Sequence, residues 1–198
     1  MKKSKILTSF IAFAMVAASI PAIAQKLTDP EIASVAVVAN QIDIDNAKIA
    51  KERSKDTEVL KFAQTMATDH KAVIDKATAL VKKLGVTPKD NATSKKLMAD
   101  AAATHKMLRT KTGHAFNKAY IDNEVSYHKA VIETVEKTLI PDAENKELKE
   151  LLESALPIFK THLEHAEMVQ KKHMSKMMNE KKEKEEKEEK QEKKKDKY

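Results

Sequence analysis

Residues 62–73 of this chain, FAQTMATDHKAV, place an apolar side chain at every third or fourth position. This spacing is typical of one face of an α-helix, and His70 falls at the centre of that face. The same periodicity extends outward over residues 59–84, after which Gly85 and Pro88 provide a stop signal. We therefore predict a long amphipathic helix that carries one imidazole on its buried side.

Three further segments show the same apolar periodicity. The first begins at the start signal Thr28-Asp29-Pro30 and runs to about Arg53, and the other two span about residues 113–139 and 145–173. A shorter helix, at about residues 93–109, provides a crossover between the second and third long helices. Two glycines and five prolines in the whole chain argue against a turn-rich β protein. We therefore predict an all-α fold, an up-down four-helix bundle with a short crossover helix.

Each long helix carries one residue of metal-ligand type within its apolar face: Asp43, His70, His128 and His162. Burying such groups costs free energy unless they find partners. Glu124 lies one turn before His128 and is a fifth candidate. Counting residues from the predicted turns puts Asp43, His70 and His128 at one level. The same count puts His162 about 8 Å from His128 along the bundle, at about 1.5 Å per residue, unless Glu124 bridges the gap.

Two interpretations of these five residues stay open. One is a structural network in which each imidazole hydrogen-bonds a carboxylate, a tyrosine or a backbone carbonyl, with Asp69, Tyr120 and Tyr127 available as partners. The other is a site for a divalent transition metal, because several imidazoles with one carboxylate suit Zn, Cu, Ni or Fe(II). A ferritin-type di-iron centre requires Glu-x-x-His motifs, and this chain contains none.

The two ends of the chain differ from the middle. Residues 1–24 have the basic start, the apolar run and the small-x-small site Ala22-Ile23-Ala24 of a cleaved signal peptide, so we predict a mature protein beginning at Gln25. Residues 180–198 contain nine lysines, seven glutamates and one aspartate, with no apolar residue before Tyr198. That segment is expected to be solvated, either as a helix extension or as a disordered tail. Residues 25–179 then form the helical-bundle domain.

A segment before the charged tail is a second metal-binding candidate. In His173-Met174-x-x-Met177-Met178, an imidazole and several thioethers suit Cu(I). The alternative is an ordinary fraying helix end. The chain has no cysteine, which excludes thiolate chemistry, cysteine-based metal sites and an N-terminal lipoprotein.

Three separated motifs resemble the bacterial domain-of-unknown-function 4142 family. They are Phe62-Ala63-Gln64-x-Met66-x-x-Asp69-His70, then Phe116-x-x-x-Tyr120 leading to His128, and Leu156-Pro157 leading to His162-Leu163. The resemblance spans about residues 29–170 and implies an exported protein with a ferritin-like helical bundle. It places Asp69, His70, His128 and His162 at positions characteristic of the family. The family usually has glutamate where this chain has Asp43, a side chain one methylene shorter.

The expected function follows from the motifs that the sequence contains and from those that it does not contain. No Ser-His-Asp order, glycine-rich phosphate loop or pair of catalytic carboxylates is present, so no reaction is assigned. The net charge is +7, but no basic stretch is interleaved with aromatic residues, and nucleic-acid binding is not expected. We expect an exported protein of the periplasm or cell envelope, without a membrane span in its mature form. It would act as a non-enzymatic structural, interaction or stress-related scaffold, with an envelope protein or a membrane surface as partner; metal binding is the alternative.

The predicted signal peptide gives a direct test. Intact-mass measurement of the protein isolated from its native cell envelope should show a chain that begins at Gln25, because Ala22-Ile23-Ala24 is a site for signal peptidase. A variant with Ala24→Leu provides the control, since a bulky residue at the cleavage position should retain the leader. A mass from the unaltered protein that includes residues 1–24 would contradict the prediction.

Overall fold

The structure, a computed structural model, describes residues 26–195, and its regular elements in that range are all helical. The predicted all-α fold is confirmed, whereas the predicted signal peptide lies outside the described residues. None of the described helices is long and apolar enough to cross a membrane. The elements are α1 (Asp29–Arg53), α2 (Thr57–Leu84), α3 (Ala92–Arg109), α4 (Gly113–Thr134), a π-helical turn π1 (Val135–Leu139), α5 (Ile140–Asp142) and α6 (Lys146–Lys195).

Local sequence explains where the helices begin and end. The backbone N–H of Thr28 donates to the Glu31 carboxylate at 3.0 Å, which closes the start of α1. The Asp56 carboxylate accepts from two backbone N–H groups in the first turn of α2. Gly85 ends α2 with a φ of 63°, a left-handed conformation that glycine adopts without steric cost.

The helices α1 and α2 form an antiparallel pair, because only residues 54–56 connect them. Two ion pairs between α2 and α6 fix the direction of α6. Lys172 contacts Glu58 near the start of α2 at 2.9 Å, and Glu147 contacts Lys83 near its end at 2.5 Å. The higher-numbered residue of α6 therefore meets the lower-numbered residue of α2, so these helices are antiparallel too.

The helix α4 also runs antiparallel to α6. Gln170 donates to Asp122 in the first half of α4 at 2.7 Å, and Lys160 contacts Glu136 in π1 at 2.7 Å. Since α2 and α4 are both antiparallel to α6, they run in the same direction. The four long helices α1, α2, α4 and α6 thus run up, down, down and up.

The crossover helix α3 makes this arrangement possible. At the start of α3, the Asn91 side chain donates to the Glu31 carbonyl at 3.0 Å, and beyond its end Arg53 donates to the carbonyls of Arg109 and Lys111. The helix α3 therefore runs parallel to α1 and packs mainly on it. Successive helices therefore alternate in direction along the chain only when α3, which runs up, is counted between α2 and α4.

Two apolar clusters fill the bundle, one toward each end. The first is built around the buried rings of Phe62, Phe116 and Tyr120. The second includes Leu152 of α6 and Phe159, one turn before His162. On each of the four long helices the candidate ligands lie between residues of the first cluster and residues of the second. The fold therefore places the ligand-type side chains at the centre, where apolar layers separate them from both ends.

The third predicted helix differs from the observed one in its last turns. The segment is α-helical only to Thr134 and then continues through π1 and α5 to Asp142. In π1 the backbone N–H of Ile140 bonds the Val135 carbonyl, five residues back. This widened turn keeps Val135 and Leu139 buried in the second apolar cluster. Helical structure then continues through α5 to Asp142 before the chain turns into α6.

The fourth predicted helix is longer than expected. Pro157 is accommodated within α6, and the helix runs without a break across the predicted domain boundary after Asn179 to Lys195. Every described side chain from Met174 onward is exposed. Of the two alternatives for the charged tail, the structure shows the helix extension, which runs to Lys195 and whose described side chains are all exposed.

This exposure predicts the effect of removing the tail. Truncation after Asn179 should leave the thermal midpoint nearly unchanged, because the exposed side chains beyond it bury no apolar area. Leu152→Ala provides the positive control, since it removes a buried side chain and should cost about 2–5 kcal/mol. Thermal unfolding followed by circular dichroism measures both variants. A fall in the midpoint of the truncated protein as large as that of Leu152→Ala would contradict the account.

Candidate metal centre

The five residues singled out from the sequence meet in the middle of the bundle. Asp43 comes from α1, His70 from α2, Glu124 and His128 from α4, and His162 from α6. Asp43 and Glu124 are fully buried, and none of the three imidazoles is more than 3% exposed. Groups of this kind are rarely buried without compensation, so their surroundings decide what the cluster does.

The three imidazole rings form a compact triangle. Ring centroids are 5.0 Å apart between His70 and His162, 5.5 Å between His128 and His162, and 5.6 Å between His70 and His128. One nitrogen from each ring lies within 4.8 Å of the other two. His162 is thus at the level of the others, and the predicted stagger of about 8 Å is wrong. Because the helical path continues through π1 and α5 to Asp142, His128 and His162 are nearly equidistant from their shared turn.

The tautomer of His70 is set by Asn40. The Asn40 amide nitrogen donates to the Ala36 carbonyl at 2.8 Å, which turns its oxygen toward His70. That oxygen lies 2.7 Å from His70 Nδ1 and can only accept, so Nδ1 carries the hydrogen. In the neutral ring the lone pair is consequently on Nε2.

The other two rings are oriented in the same manner. His128 Nδ1 lies 2.9 Å from the Glu124 carbonyl oxygen, and His162 Nε2 lies 3.0 Å from an Asp69 carboxylate oxygen. Both partners accept, so each of these ring nitrogens donates and the opposite nitrogen keeps its lone pair. The three nitrogens left are His70 Nε2, His128 Nε2 and His162 Nδ1. All three are buried and have no hydrogen-bond partner among residues 26–195.

Asp43 adds a carboxylate to the three nitrogens. Its Oδ2 atom lies 3.2 Å from His70 Nε2 and 3.4 Å from His128 Nε2, although neither contact has hydrogen-bond geometry. Ligand atoms of a tetrahedral ion with bonds of about 2.0–2.2 Å are themselves about 3.3–3.5 Å apart. The shorter aspartate side chain therefore reaches the rings at the spacing that two ligands of one ion have.

Glu124 lies against the same carboxylate. Burial, and then the neighbouring Asp43, raise the pKa of Glu124 well above its usual range, which favours the protonated form of this carboxyl. Its Oε2 atom has no hydrogen-bond partner within the described part of the chain. Asp43, Glu124 and His128 also offer oxygen and nitrogen atoms within 4.8 Å of one another. Glu124 thus lies at the edge of the triangle as a neutral group that can release its proton if a cation binds.

Burial also controls the charge of the imidazoles. It lowers the pKa of His70 to about 4, although the Asp43 carboxylate opposes this shift. Burial lowers the pKa of His162 as well, although the hydrogen bond that His162 donates to Asp69 opposes this shift. His70 is therefore neutral near pH 7, and the neutral form is the one that can bind a metal ion.

The remaining histidines are not part of the triangle. His114 is exposed, and His105 is half-buried. His165 packs against Phe62, with ring centroids 5.1 Å apart. His173 is buried and faces Asp56 at 3.7 Å. Met174 and Met177 line one small pocket together with His173, and methionines 174, 177 and 178 are all exposed, so the histidine–methionine site stays a prediction.

Two buried residues near the triangle were not predicted as functional. Asn40 and Asn46 lie three residues before and after Asp43, so the three side chains share one face of α1. The sequence signal that could have identified them is the spacing of three residues between polar side chains on an otherwise apolar helix face. Asn40 orients His70, as described above, and Asn46 is buried with both amide atoms unpartnered by any residue the structure describes.

The role of Asn40 can be tested through stability. Asn40→Leu should lower the free energy of unfolding by about 1–3 kcal/mol, because it leaves the buried N–H of His70 without an acceptor. The matched control is Gln41→Leu, which changes the neighbouring amide on the exposed side of α1 and should stay within about 0.5 kcal/mol. Urea unfolding in the presence of a chelator measures both. Equal midpoints for the two variants would show that Asn40 does not support the imidazole.

Comparison with known proteins places the chain in a family. The family model described as "Domain of unknown function (DUF4142)" matches residues 14–169, well over half of the 198-residue chain. Searches of curated proteins and of solved structures found no match. The matched range contains all five residues of the candidate centre, and it confirms the resemblance that the three sequence motifs indicated. The chain therefore belongs to the DUF4142 family, a domain of unknown function.

Proposed function

We propose that this protein binds a divalent transition-metal ion in the core of its helical bundle. The ligands are His70 Nε2, His128 Nε2, His162 Nδ1 and the Asp43 carboxylate. The observation that carries the proposal is the convergence of three buried nitrogen lone pairs, each fixed by a hydrogen bond on the opposite side of its ring. Metal-binding histidines characteristically donate their second N–H to a carbonyl or carboxylate in this way.

The same observation disfavours a purely structural polar network. In such a network each acceptor would face a donor, whereas here Asp43 faces His70 Nε2 and His128 Nε2, which carry no hydrogen because each neutral ring donates through Nδ1. The protonated form of Glu124 can donate one hydrogen bond to Asp43, which leaves three imidazole acceptors, whereas a single water molecule donates two hydrogen bonds. A cation satisfies the three imidazole nitrogens and Asp43 at once. Its binding would also offset the cost of burying the Asp43 charge.

The types of ligand atom limit which metal ion can bind. Three imidazoles and one carboxylate suit Zn, Cu, Ni or Fe(II), whereas Mg²⁺ and Ca²⁺ prefer oxygen ligands. Protonated Glu124 lies beside Asp43 as a neighbour of the site. We propose binding of the ion and assign no reaction to it.

We further propose that the bundle is ferritin-like and that the protein is exported to the periplasm or cell envelope. The first proposal is supported by two antiparallel helix pairs joined through a long crossover. The second is supported by the basic start, apolar run and cleavage site of residues 1–24. Direct identification of the mature N-terminus tests the second.

One observation favours a second function as an interaction scaffold. Beyond His173 the helix α6 continues with its described side chains exposed and without contributing to either apolar cluster. An extended, charged helix of this kind is suited to contact another envelope protein or a membrane surface. Loss of a co-purifying partner or of vesicle binding on truncation after Asn179 tests this role.

Metal binding should be visible as stabilisation. A ligand present at about 100 times its dissociation constant stabilises the folded state by about 2.7 kcal/mol. For a domain of this size that corresponds to a rise of about 5–10 °C in the thermal midpoint. We therefore expect chelator-treated protein to melt higher with at least one of Zn(II), Cu(II), Ni(II) or Fe(II), with one ion per chain by isothermal titration calorimetry.

Histidine variants locate the site. His70→Ala and His162→Ala should abolish the metal-dependent rise, because each removes one nitrogen of the triangle. The matched control is His165→Ala, on the same helix as His162 but packed against Phe62, and it should keep the rise. His173→Ala should also keep it. No metal-dependent change in the parent protein, or a change lost only in His173→Ala, would contradict the proposed centre.

A further inference from the structure

A cavity of about 190 Å³ lies beside the imidazole triangle. Residues of α1, α2, α3, α4, π1 and α6 surround it, and they include exposed Asp100 of α3 and Ala130 of α4. The cavity therefore reaches the surface between α3 and α4. Most of its lining is apolar, with representative side chains Ala36, Val73, Leu97, Val131 and Phe159.

One buried polar side chain in this lining, Asn46, makes no hydrogen bond within the described residues, although it lies close enough to the Glu124 carboxyl to lower the pKa of that group. Asn46 is 1% exposed, and neither its Oδ1 nor its Nδ2 atom bonds any residue in the range 26–195. Two other polar groups of the lining are engaged, because Asn40 bonds His70 and Ala36, and the Tyr127 hydroxyl donates to the Ala39 carbonyl at 2.8 Å. A buried amide with no partner costs free energy that a bound molecule could recover.

We propose that this cavity binds a small neutral molecule that is mostly hydrocarbon and carries one hydroxyl or carbonyl group, which pairs with Asn46. Size supports this class of ligand, since an apolar cavity of about 150 Å³ in another protein holds benzene. The charge of the cavity lining also supports a neutral ligand. The lining contains no lysine or arginine and one acidic residue, Asp100 at the exposed edge, so an ion would lose its hydration without gaining a partner.

The cavity adjoins the candidate metal centre without sharing its ligands. Phe159, part of the lining, stacks on the His70 ring with centroids 5.4 Å apart and an angle of 7° between the planes. Asn40 belongs to the lining and also orients His70. Binding in the cavity uses none of the four proposed metal ligands, so it is tested on metal-free protein and stands or falls separately from metal binding.

Toluene and p-cresol are suitable probes, because they differ by one hydroxyl group. Chelator-treated, full-length protein should melt higher with either probe. In calorimetric titration the affinity ratio of p-cresol to toluene should fall by about threefold to tenfold in Asn46→Leu, which removes one hydrogen bond to the hydroxyl. No rise in the thermal midpoint with either probe near its solubility limit would overturn the proposal, as would an unchanged ratio.

Two alanine variants locate the binding. Ala36→Leu places extra volume in the cavity and should abolish binding of both probes, whereas Ala119→Leu, a half-buried alanine of α4 outside the lining, should retain it. Methyl NMR of the parent protein gives the same answer without any variant. Probe-induced shifts should be confined to lining methyls such as Val73 and Val131 and absent from Val169. Shifts confined to other methyls, or full binding by folded Ala36→Leu, would overturn the proposal.

Discussion

Acceptor groups are concentrated where four helices meet, and burying them costs free energy unless something positive or hydrogen-donating compensates. The rest of the centre can be understood from that constraint. Asn40, Asp69 and the Glu124 carbonyl each accept a hydrogen bond from one imidazole N–H, which fixes the rings and leaves the other nitrogen of each ring buried without a hydrogen-bond partner among the described residues. These contacts therefore pair the ring nitrogens on the outside of the cluster. The nitrogen lone pairs and the Asp43 carboxylate on its inside are left without donors. A metal ion is the group that best meets the need they create.

The apolar clusters above and below the centre provide the hydrophobic burial that the polar centre does not. They bury large side chains at both ends of the bundle and keep bulk water away from the imidazoles. In metal-free protein, burial and the neighbouring Asp43 raise the pKa of Glu124 and so favour a proton on it over a second negative charge beside Asp43. Binding of a cation would favour release of that proton. If the protein binds a metal ion as proposed, metal affinity, proton release and fold stability are linked.

Much of the fold was predictable because helical periodicity is a local property. The apolar spacing around His70 gave the second helix and the direction in which His70 points, and the five ligand-type residues predicted to face inward all do so. What the sequence could not provide depends on contacts between distant residues. The acceptor for His162 is Asp69, 93 positions away, and the level of His162 depends on the π-helical turn π1 in the preceding helix. The cavity likewise needs six elements to be placed before it can be seen.

The most direct test of the account is a crystal structure of the protein loaded with Zn(II), with anomalous data collected at the zinc edge. The account predicts one ion in the core, bonded at about 2.0–2.2 Å to His70 Nε2, His128 Nε2, His162 Nδ1 and an oxygen of Asp43. The choice of ring nitrogen is the sharpest part of the prediction, since it follows from the hydrogen bonds to Asn40, Glu124 and Asp69. Zinc found only at surface groups, with hydrogen-bonded water among the imidazoles, would contradict it.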